Sequence, residues 1–446
     1  MAAADFAWHV QRRHKDGELM EKPTIAFAGM THLGLVSAAA VAEKGFQVTC
    51  YDMDPNLVTR LETGELPIVE PELPELLKKN KDSITFTVEA KAIEACDIII
   101  ISPDVATNDQ GDSDLTELNL LLKKLEKHVH EDAVQIILSQ VPPGFTRKYH
   151  KSDNKLFYQV ETLIFGRAVE RALYPERIII GCADPSVSLP DIYKKFLNAF
   201  DCPLLSMGYE SAELAKISIN CCLVSSISVA NTLAELCEQI GADWSEIVPA
   251  LKLDARIGEK AYLAPGLGLS GGNLERDLAT VMRLADRENT NSDVIKAWLA
   301  NSQHRKDWAY SMLEKFVFSE FSDPRIAVLG LAYKENTHST KNSPSLVLLS
   351  KLGHRCVRAY DPVVKMDVTG IENAPSVDTC ITGADVVVVM TPWDEFKKLS
   401  MKHLALSMAG HIIIDPYCVF DPVMVKAAGL CHVTLGASSD LTAKES

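Results

Sequence analysis

Gly29-Met30-Thr31-His32-Leu33-Gly34 lies between a short apolar run and an alanine-rich stretch. The spacing is that of the GxGxxG turn that receives a dinucleotide's pyrophosphate, with Thr31 in the second glycine's place. The chemistry is anion binding, because the start of a helix offers unpaired N–H groups and a partial positive charge. The second glycine normally lets the backbone approach the phosphates closely. The Cβ of Thr31 therefore predicts a looser approach, or a hydroxyl that donates in its stead. Asp52 follows at the roughly 20-residue offset expected of an acid that accepts from ribose hydroxyls. A carboxylate there repels a 2′-phosphate, which favours NAD over NADP. Gly29, Thr31, Leu33, Gly34 and Asp52 are thus the first cofactor-binding candidates. The competing reading is a nucleotide fold that no longer binds cofactor.

These residues need a strand before them and a helix after them. Thr24–Met30 (TIAFAGM) reads as a buried strand, Leu33–Glu43 as a helix and Phe46–Tyr51 as a second strand ending at Asp52. That is a right-handed βαβ unit. Further strands are expected at Asp97–Ser102, Val134–Ser139 and Arg177–Gly181. Alternating strands and helices imply a parallel sheet covered on both faces. From Ser211 to Leu251 the period becomes helical, and a glycine-rich loop follows at Gly266–Asn273. After Pro324 the strand pattern restarts, at Arg325–Tyr333, Cys356–Pro362, Ala384–Thr391 and His411–Pro416. The expected fold class is α/β: two Rossmann-like parallel-sheet domains joined by a central long helix. The expected bounds are a floppy polar tail over 1–22, then domains over 23–208, 209–320 and 321–446.

Composition narrows the partners. The 446 residues carry a formal net charge of −15, which repels phosphate backbones at long range and argues against nucleic acid. A small phosphorylated ligand needs only a local positive pocket. No apolar run of the ~18 residues needed to span a bilayer is evident, and the first 22 residues have no apolar core of a signal peptide. Eleven cysteines, with no CxxC pair, suit a reducing compartment and give no metal-site spacing. A cytoplasmic protein without a structural metal is the expectation.

Beyond the fingerprint, the chain resembles the UDP-glucose/GDP-mannose dehydrogenase family. The resemblance rests on Asp54–Leu77, Ser139–Lys148 (SQVPPGFTRK), Tyr174–Gly181 (YPERIIIG), Ser211–Asn220 (SAELAKISIN), Asp254–Gly258, Tyr262–Leu278 (YLAPGLGLSGGNLERDL) and Ala327–Ser345. The family oxidises a sugar C6 alcohol to a carboxylate by two hydride transfers, with a cysteine holding the intermediate as a thioester. The resemblance makes Lys216 and Asn220 the pair that holds a water and the oxyanion. They are four apart on one helix and share a face. A lysine in a desolvated cleft stabilises alkoxide charge as a hydride departs. Asp277 matches the aspartate that works with that water, and Glu161 the glutamate of the hydrolysis step. Ser139 and Gln140 lie in the family's loop beside the cofactor. Arg256, Lys260, Tyr262, Gly268 and Lys334 fall at substrate-side positions, the arginine reaching across a dimer interface. The resemblance also implies a homodimer formed through the central helix.

The pattern breaks where the family cysteine belongs, because that position is Asn273. An amide is not a nucleophile toward aldehydes and forms no thioester. The family lysine after it is Arg276, the loop threonine is Gln140, and the arginine before the third domain's serine-proline is Lys341. The phenylalanine after the glutamate is Thr162, and Ser102–Thr107 (SPDVAT) replaces a proline-threonine-proline segment. The expected function is NAD-dependent oxidation of an alcohol on a nucleotide sugar or related nucleotide, stopping after one two-electron step, with Asn273 hydrogen-bonding the reacting oxygen. A thioester-free route to the acid and an inactive nucleotide-binding homologue are the alternatives.

Overall fold

A computed structural model describes residues 22–108, 111–152, 154–353, 355–365 and 370–438; the expected tail lies, but for Lys22, outside them. The chain divides into two compact units, one ending at Ser218 and one starting at Ile219.

The first unit is built on an eight-stranded sheet. Its strands are β1 (Ile25–Ala28), β2 (Val48–Tyr51), β3 (Ile84–Thr87), β4 (Ile98–Ile101), β5 (Val134–Ile137), β6 (Lys155–Gln159), β7 (Ile178–Cys182) and β8 (Leu204–Gly208). They lie in the order β8-β7-β6-β5-β4-β1-β2-β3. The central strands β1 and β4 are buried at every residue, so they must read as unbroken apolar runs. Against expectation, the sheet is not wholly parallel: β6 and β7 pair antiparallel through Tyr158 and Gly181. Three of its strands, β3, β6 and β8, were not expected. They are partly exposed and mix polar with apolar residues, so they carry no continuous apolar signal. Progression through the sheet reverses between β1 and β4. The crevice beyond the carboxyl ends of strands at such a switch point is where ligands of open α/β sheets bind.

The second unit contains a six-stranded parallel sheet of β9 (Ile326–Leu329), β10 (Val357–Tyr360), β11 (Ile371–Asn373), β12 (Val386–Val389), β13 (Ile412–Ile414) and β14 (Cys431–Val433). Its order is β11-β10-β9-β12-β13-β14, the doubly wound order, with the switch between β9 and β12. Gly330 closes β9 with φ +102°, and a Cβ there would stand 2.5 Å from the Thr391 side chain that follows β12. Asp361, at the end of β10, accepts the N–H groups of Leu331, Ala332, Val363 and Val364 and the Trp393 indole. One buried carboxylate thus fixes the loops around that switch point.

The long helix Tyr209–Ile240 has 32 residues, and the division between the units falls within it. By length and composition it is apolar enough to cross a membrane, contrary to the sequence expectation. Its serines, threonines and asparagines interrupt the apolar run without adding charge.

Candidate active site

In the first unit the switch point brings the fingerprint against the loop after β4. Gly29 turns the chain at φ +95°, and a Cβ on it would lie 2.7 Å from the Pro103 nitrogen. Gly34 lets helix His32–Glu43 sit on that turn, since a Cβ there would fall 2.0 Å from the Gly29 carbonyl oxygen. These are cradles that only glycine leaves open, as a dinucleotide turn requires. Asp52 closes the opposite side, nearly buried at 8% exposure. One of its oxygens accepts the Met30 N–H at 2.7 Å, the other the Asp54 N–H at 2.9 Å. A carboxylate has about four acceptor positions, so each oxygen retains capacity for a ribose hydroxyl. The fingerprint therefore fits a dinucleotide.

Thr31 does not offer its hydroxyl as a replacement donor. Its proton is directed at the Ser102 carbonyl (3.4 Å), and its Oγ1 accepts the Asp104 N–H at 2.8 Å. Asp104 in turn accepts the Leu33 N–H at 3.2 Å. Ser139 is fully buried and donates to the Pro103 carbonyl at 2.5 Å, which pins the same loop; Gln140 beside it is half-buried. Asp104 was visible in the sequence only as part of a segment that departs from the family pattern.

Two further acids organise this unit. Glu70, with no exposed side chain, meets His32 Nε2 at 2.9 Å and accepts the N–H groups of Gly166 and Ala168. His32 stacks on Phe165 with ring centroids 4.1 Å apart. The fingerprint helix is thereby tied to the segment that follows Glu161. Glu213, on the long helix, accepts the N–H groups of Gly144 and Thr146, and burial raises its carboxyl pKa. Both acids lie in segments that carry the family resemblance, Asp54–Leu77 and Ser211–Asn220, but their backbone partners are distant in sequence and neither acid is singled out there.

Lys216 and Glu161 form an ion pair at 2.7 Å, with side chains 13% and 16% exposed. The second Glu161 oxygen accepts the Leu163 N–H at 3.0 Å. Glu161 and Leu33 both border a cavity of about 70 Å3 that Ser37, Gln159 and Arg171 also line. Glu161 thus lies beside helix His32–Glu43, and its ion pair with Lys216 is largely withdrawn from water.

The second unit holds the remaining polar candidates. Asn220 donates its amide to Asp277 at 2.5 Å, and Arg276 Nε donates to the other Asp277 oxygen at 3.2 Å. Asp277 and Arg276 are both buried. Asn273 is exposed and opens helix Asn273–Arg287, after Gly272 at the cap. The preceding loop is bound to the segment after β9. The Gly271 N–H donates to the Lys341 carbonyl (3.0 Å), Asn342 donates to the Gly271 carbonyl (2.8 Å), and Asn342 also bonds Glu275. Lys341 is half-buried, its Cδ and Cε 3.4 Å from where a Gly272 Cβ would stand. The half-buried Lys334 has its ammonium 5.7 Å from the Tyr333 ring centroid.

The other substrate-side candidates lie outside this cluster's hydrogen bonds. Arg256 is 88% exposed and pairs with its neighbour Asp254. Lys260 and Tyr262 are exposed. Gly268 has a packing reason for being glycine, because a Cβ there would meet the Ser302 carbonyl at 2.3 Å. Cys221 follows Asn220 and is half-buried. Its thiol is pushed up to about 11, by burial first and by the Asp277 charge second.

Comparison with known proteins agrees with this geometry. Residues 23–197 match the NAD binding domain of the UDP-glucose/GDP-mannose dehydrogenase family, residues 210–303 its central domain and residues 327–422 its UDP binding domain. UDP-glucose 6-dehydrogenase TuaD of Bacillus subtilis is 29% identical over 432 residues, covering 92% of this chain and 93% of that protein. UDP-glucose 6-dehydrogenase of Rickettsia typhi is 28% identical, covering 93% and 99%. Among solved structures, a UDP-D-ManNAc dehydrogenase from Pyrococcus horikoshii superposes with a TM-score of 0.80 at 25% identity, covering 93% and 99%. A UDP-glucose dehydrogenase from Pyrobaculum islandicum has the same fold, with a TM-score of 0.81 at 24% identity and coverage of 95% and 100%. Three successive domain matches, on a fold with a dinucleotide crevice in its first unit, make the chain a member of the UDP-glucose/GDP-mannose dehydrogenase family, NAD-dependent oxidoreductases that act on a CH–OH group of a nucleotide sugar.

Proposed function

We propose that this protein oxidises one alcohol of a nucleotide sugar to an aldehyde or ketone and stops there. The observation that carries the reading is Asn273, which stands where the family resemblance expects the thioester-forming cysteine. The polar pairs that the resemblance expects are kept within each unit: Lys216 with Glu161 in the first, and Asn220 with Asp277 in the second. Bound NAD supplies the hydride acceptor. The substrate C–H is lost as hydride and its O–H as a proton that passes to the water at Asn220 and Asp277, so the product is two hydrogens lighter. Lys216 stabilises the developing alkoxide, and Asn220 and Asp277 hold water and substrate oxygen through their mutual hydrogen bond. Asn273 donates its amide to the reacting oxygen but forms no bond to carbon. Cys221 is a poor substitute nucleophile, because a thiol held near 11 is almost wholly protonated at neutral pH. Arg276, Lys341, Ser139 and Gln140 serve the cofactor, and Arg256, Lys260, Tyr262, Gly268 and Lys334 the nucleotide sugar.

A second reading is favoured by Glu161, whose carboxylate is held by Lys216 and by a backbone N–H. Such a group is a candidate general base toward water. It would hydrate a retained aldehyde, and the hydrate would lose a second hydride, to a second NAD that replaces the first, without a thioester. Product mass separates the two. The protein is incubated with NAD and a panel of UDP-, GDP- and TDP-sugars. A product two hydrogens lighter supports single oxidation, and a carboxylate product supports the hydrate route. No product, with no NAD bound, would favour an inactive homologue. Asn273→Cys should partly restore acid formation; an unchanged product would count against Asn273 occupying the nucleophile position.

We also propose a cytoplasmic homodimer. Val229, Leu233, Leu236 and Ile240 form an exposed stripe at helical spacing on the long helix, the kind of face a second copy covers. The eleven cysteines are all free thiols, as a reducing compartment keeps them.

A further inference from the structure

The two departures in and beside the fingerprint are bonded to each other. Thr31 is the N-cap of helix His32–Glu43, yet its side chain makes no capping bond. Its oxygen is turned to the Asp104 N–H (2.8 Å), and the Asp104 carboxylate takes the Leu33 N–H (3.2 Å). Leu33 is the second residue of that helix, so its N–H is among the four that have no partner inside a helix. Those are the donors to which a fingerprint helix receives a pyrophosphate. We propose that Asp104 is an internal anion on the pyrophosphate site, that NAD must displace it, and that Asp104 thereby sets this protein's cofactor affinity.

The surroundings hold the carboxylate in competition. Ser139 grips the Pro103 carbonyl at 2.5 Å, and a Gly29 Cβ would stand 2.7 Å from the Pro103 nitrogen. The loop therefore has no room to approach the fingerprint more closely and is tied against retreat. Displacement falls to the Asp104 side chain, which is exposed and free to rotate toward water. The crevice is already negative: the Glu117 pKa is raised by burial first, then by the charges of Asp52, Asp104 and Asp114. An incoming pyrophosphate adds two negative charges to that field. Exchanging a carboxylate for a pyrophosphate on one donor gains less than filling a vacant donor.

The inference rests on the NAD reading of the fingerprint, and the test separates the two. The full chain and Asp104→Asn are titrated calorimetrically with NAD, ADP-ribose and adenosine. Asparagine keeps an acceptor for the Leu33 N–H and removes the charge. The expected result is a Kd at least about tenfold lower for NAD and ADP-ribose in the variant. Adenosine, which has no pyrophosphate, should change by less than about twofold. Thr31→Gly removes the acceptor for the Asp104 N–H and should move NAD affinity in the same direction. Equal Kd values for NAD in wild type and Asp104→Asn would overturn the inference and leave the cofactor assignment standing, with Asp104 only a helix cap. Adenosine tightening as much as NAD would overturn it equally, because the gain would not depend on the pyrophosphate. Absence of NAD and ADP-ribose binding in both proteins would overturn the cofactor assignment and this inference with it.

Discussion

Lys216→Ala offers the sharpest test of the proposed chemistry. The ammonium lies 2.7 Å from Glu161, and neither side chain is more than 16% exposed. A unit charge about 4 Å from a developing alkoxide, at an effective dielectric of about 20, contributes about 4 kcal/mol. Glu161 neutralises part of that field, so the expected loss is nearer 3 kcal/mol, about a hundredfold in kcat. The hydrogen bonds that shape the fingerprint run through Gly29, Asp52 and Ser139, not Lys216. The NAD Kd should therefore stay within about threefold. The assay is NADH absorbance on the substrate found by the mass panel, with kcat and KM resolved, beside an NAD titration. Lys216→Arg, which keeps the charge, should recover part of kcat. A Glu161→Gln and Lys216→Ala double-mutant cycle should show coupling, because the two groups touch. A kcat within about threefold of wild type for Lys216→Ala would refute the assignment. Loss of NAD binding in the same variant would instead show a disturbed fold.

Three further outcomes follow from the geometry. The Glu210 carboxyl is held at about 2 by Arg147, which bonds both its oxygens at 2.8 Å. Its folded pKa lies below the ordinary 4.5, so the stabilisation is complete above pH 4.5 and is lost as pH falls toward 2. With both side chains over 40% exposed, screening leaves about 1 kcal/mol. Glu210→Gln should flatten the acid limb of Tm against pH, and an unchanged limb would sink the point. Cys221, pushed up to about 11, should alkylate slowly at neutral pH, and its rate should rise about tenfold per pH unit through the mildly alkaline range. Peptide-resolved iodoacetamide labelling reads this, and fast labelling at pH 7 would contradict it. Gly330→Ala forces a Cβ to within 2.5 Å of Thr391 at φ +102° and should cost about 2–3 kcal/mol. Calorimetry should place the lowered transition in the second unit; an unchanged Tm would show that the loop relaxes freely.

Much of this protein was legible in its sequence, for identifiable reasons. Strands buried on both faces have to be unbroken apolar runs, so β1, β4, β9 and β12 announce themselves. A turn whose Cβ positions are blocked by backbone has to be glycine, so Gly29 and Gly34 mark the dinucleotide crevice. Lys216 and Asn220 fall one helical turn apart by counting alone. Partners distant in sequence were not legible from the residues themselves; the family resemblance alone put Asp277 with the water of Lys216 and Asn220. Glu161 finds Lys216 across 55 residues, and Asn220 finds Asp277 across 57. Glu70 reaches Ala168 across 98. The edge strands β3 and β8 escaped because half-exposed segments need no apolar run, the interior strand β6 because polar Lys155 and Gln159 confine its apolar run to three residues, and the antiparallel joint of β6 and β7 leaves no mark on composition. Asp104 shows the division most clearly. Its sequence gives an acid after a strand; only the packing of Pro103 against Gly29 carries that acid to the helix N-terminus. Local periodicity is a property of neighbours along the chain, whereas which charge faces which donor is decided by chain segments that meet only after the sheet has formed.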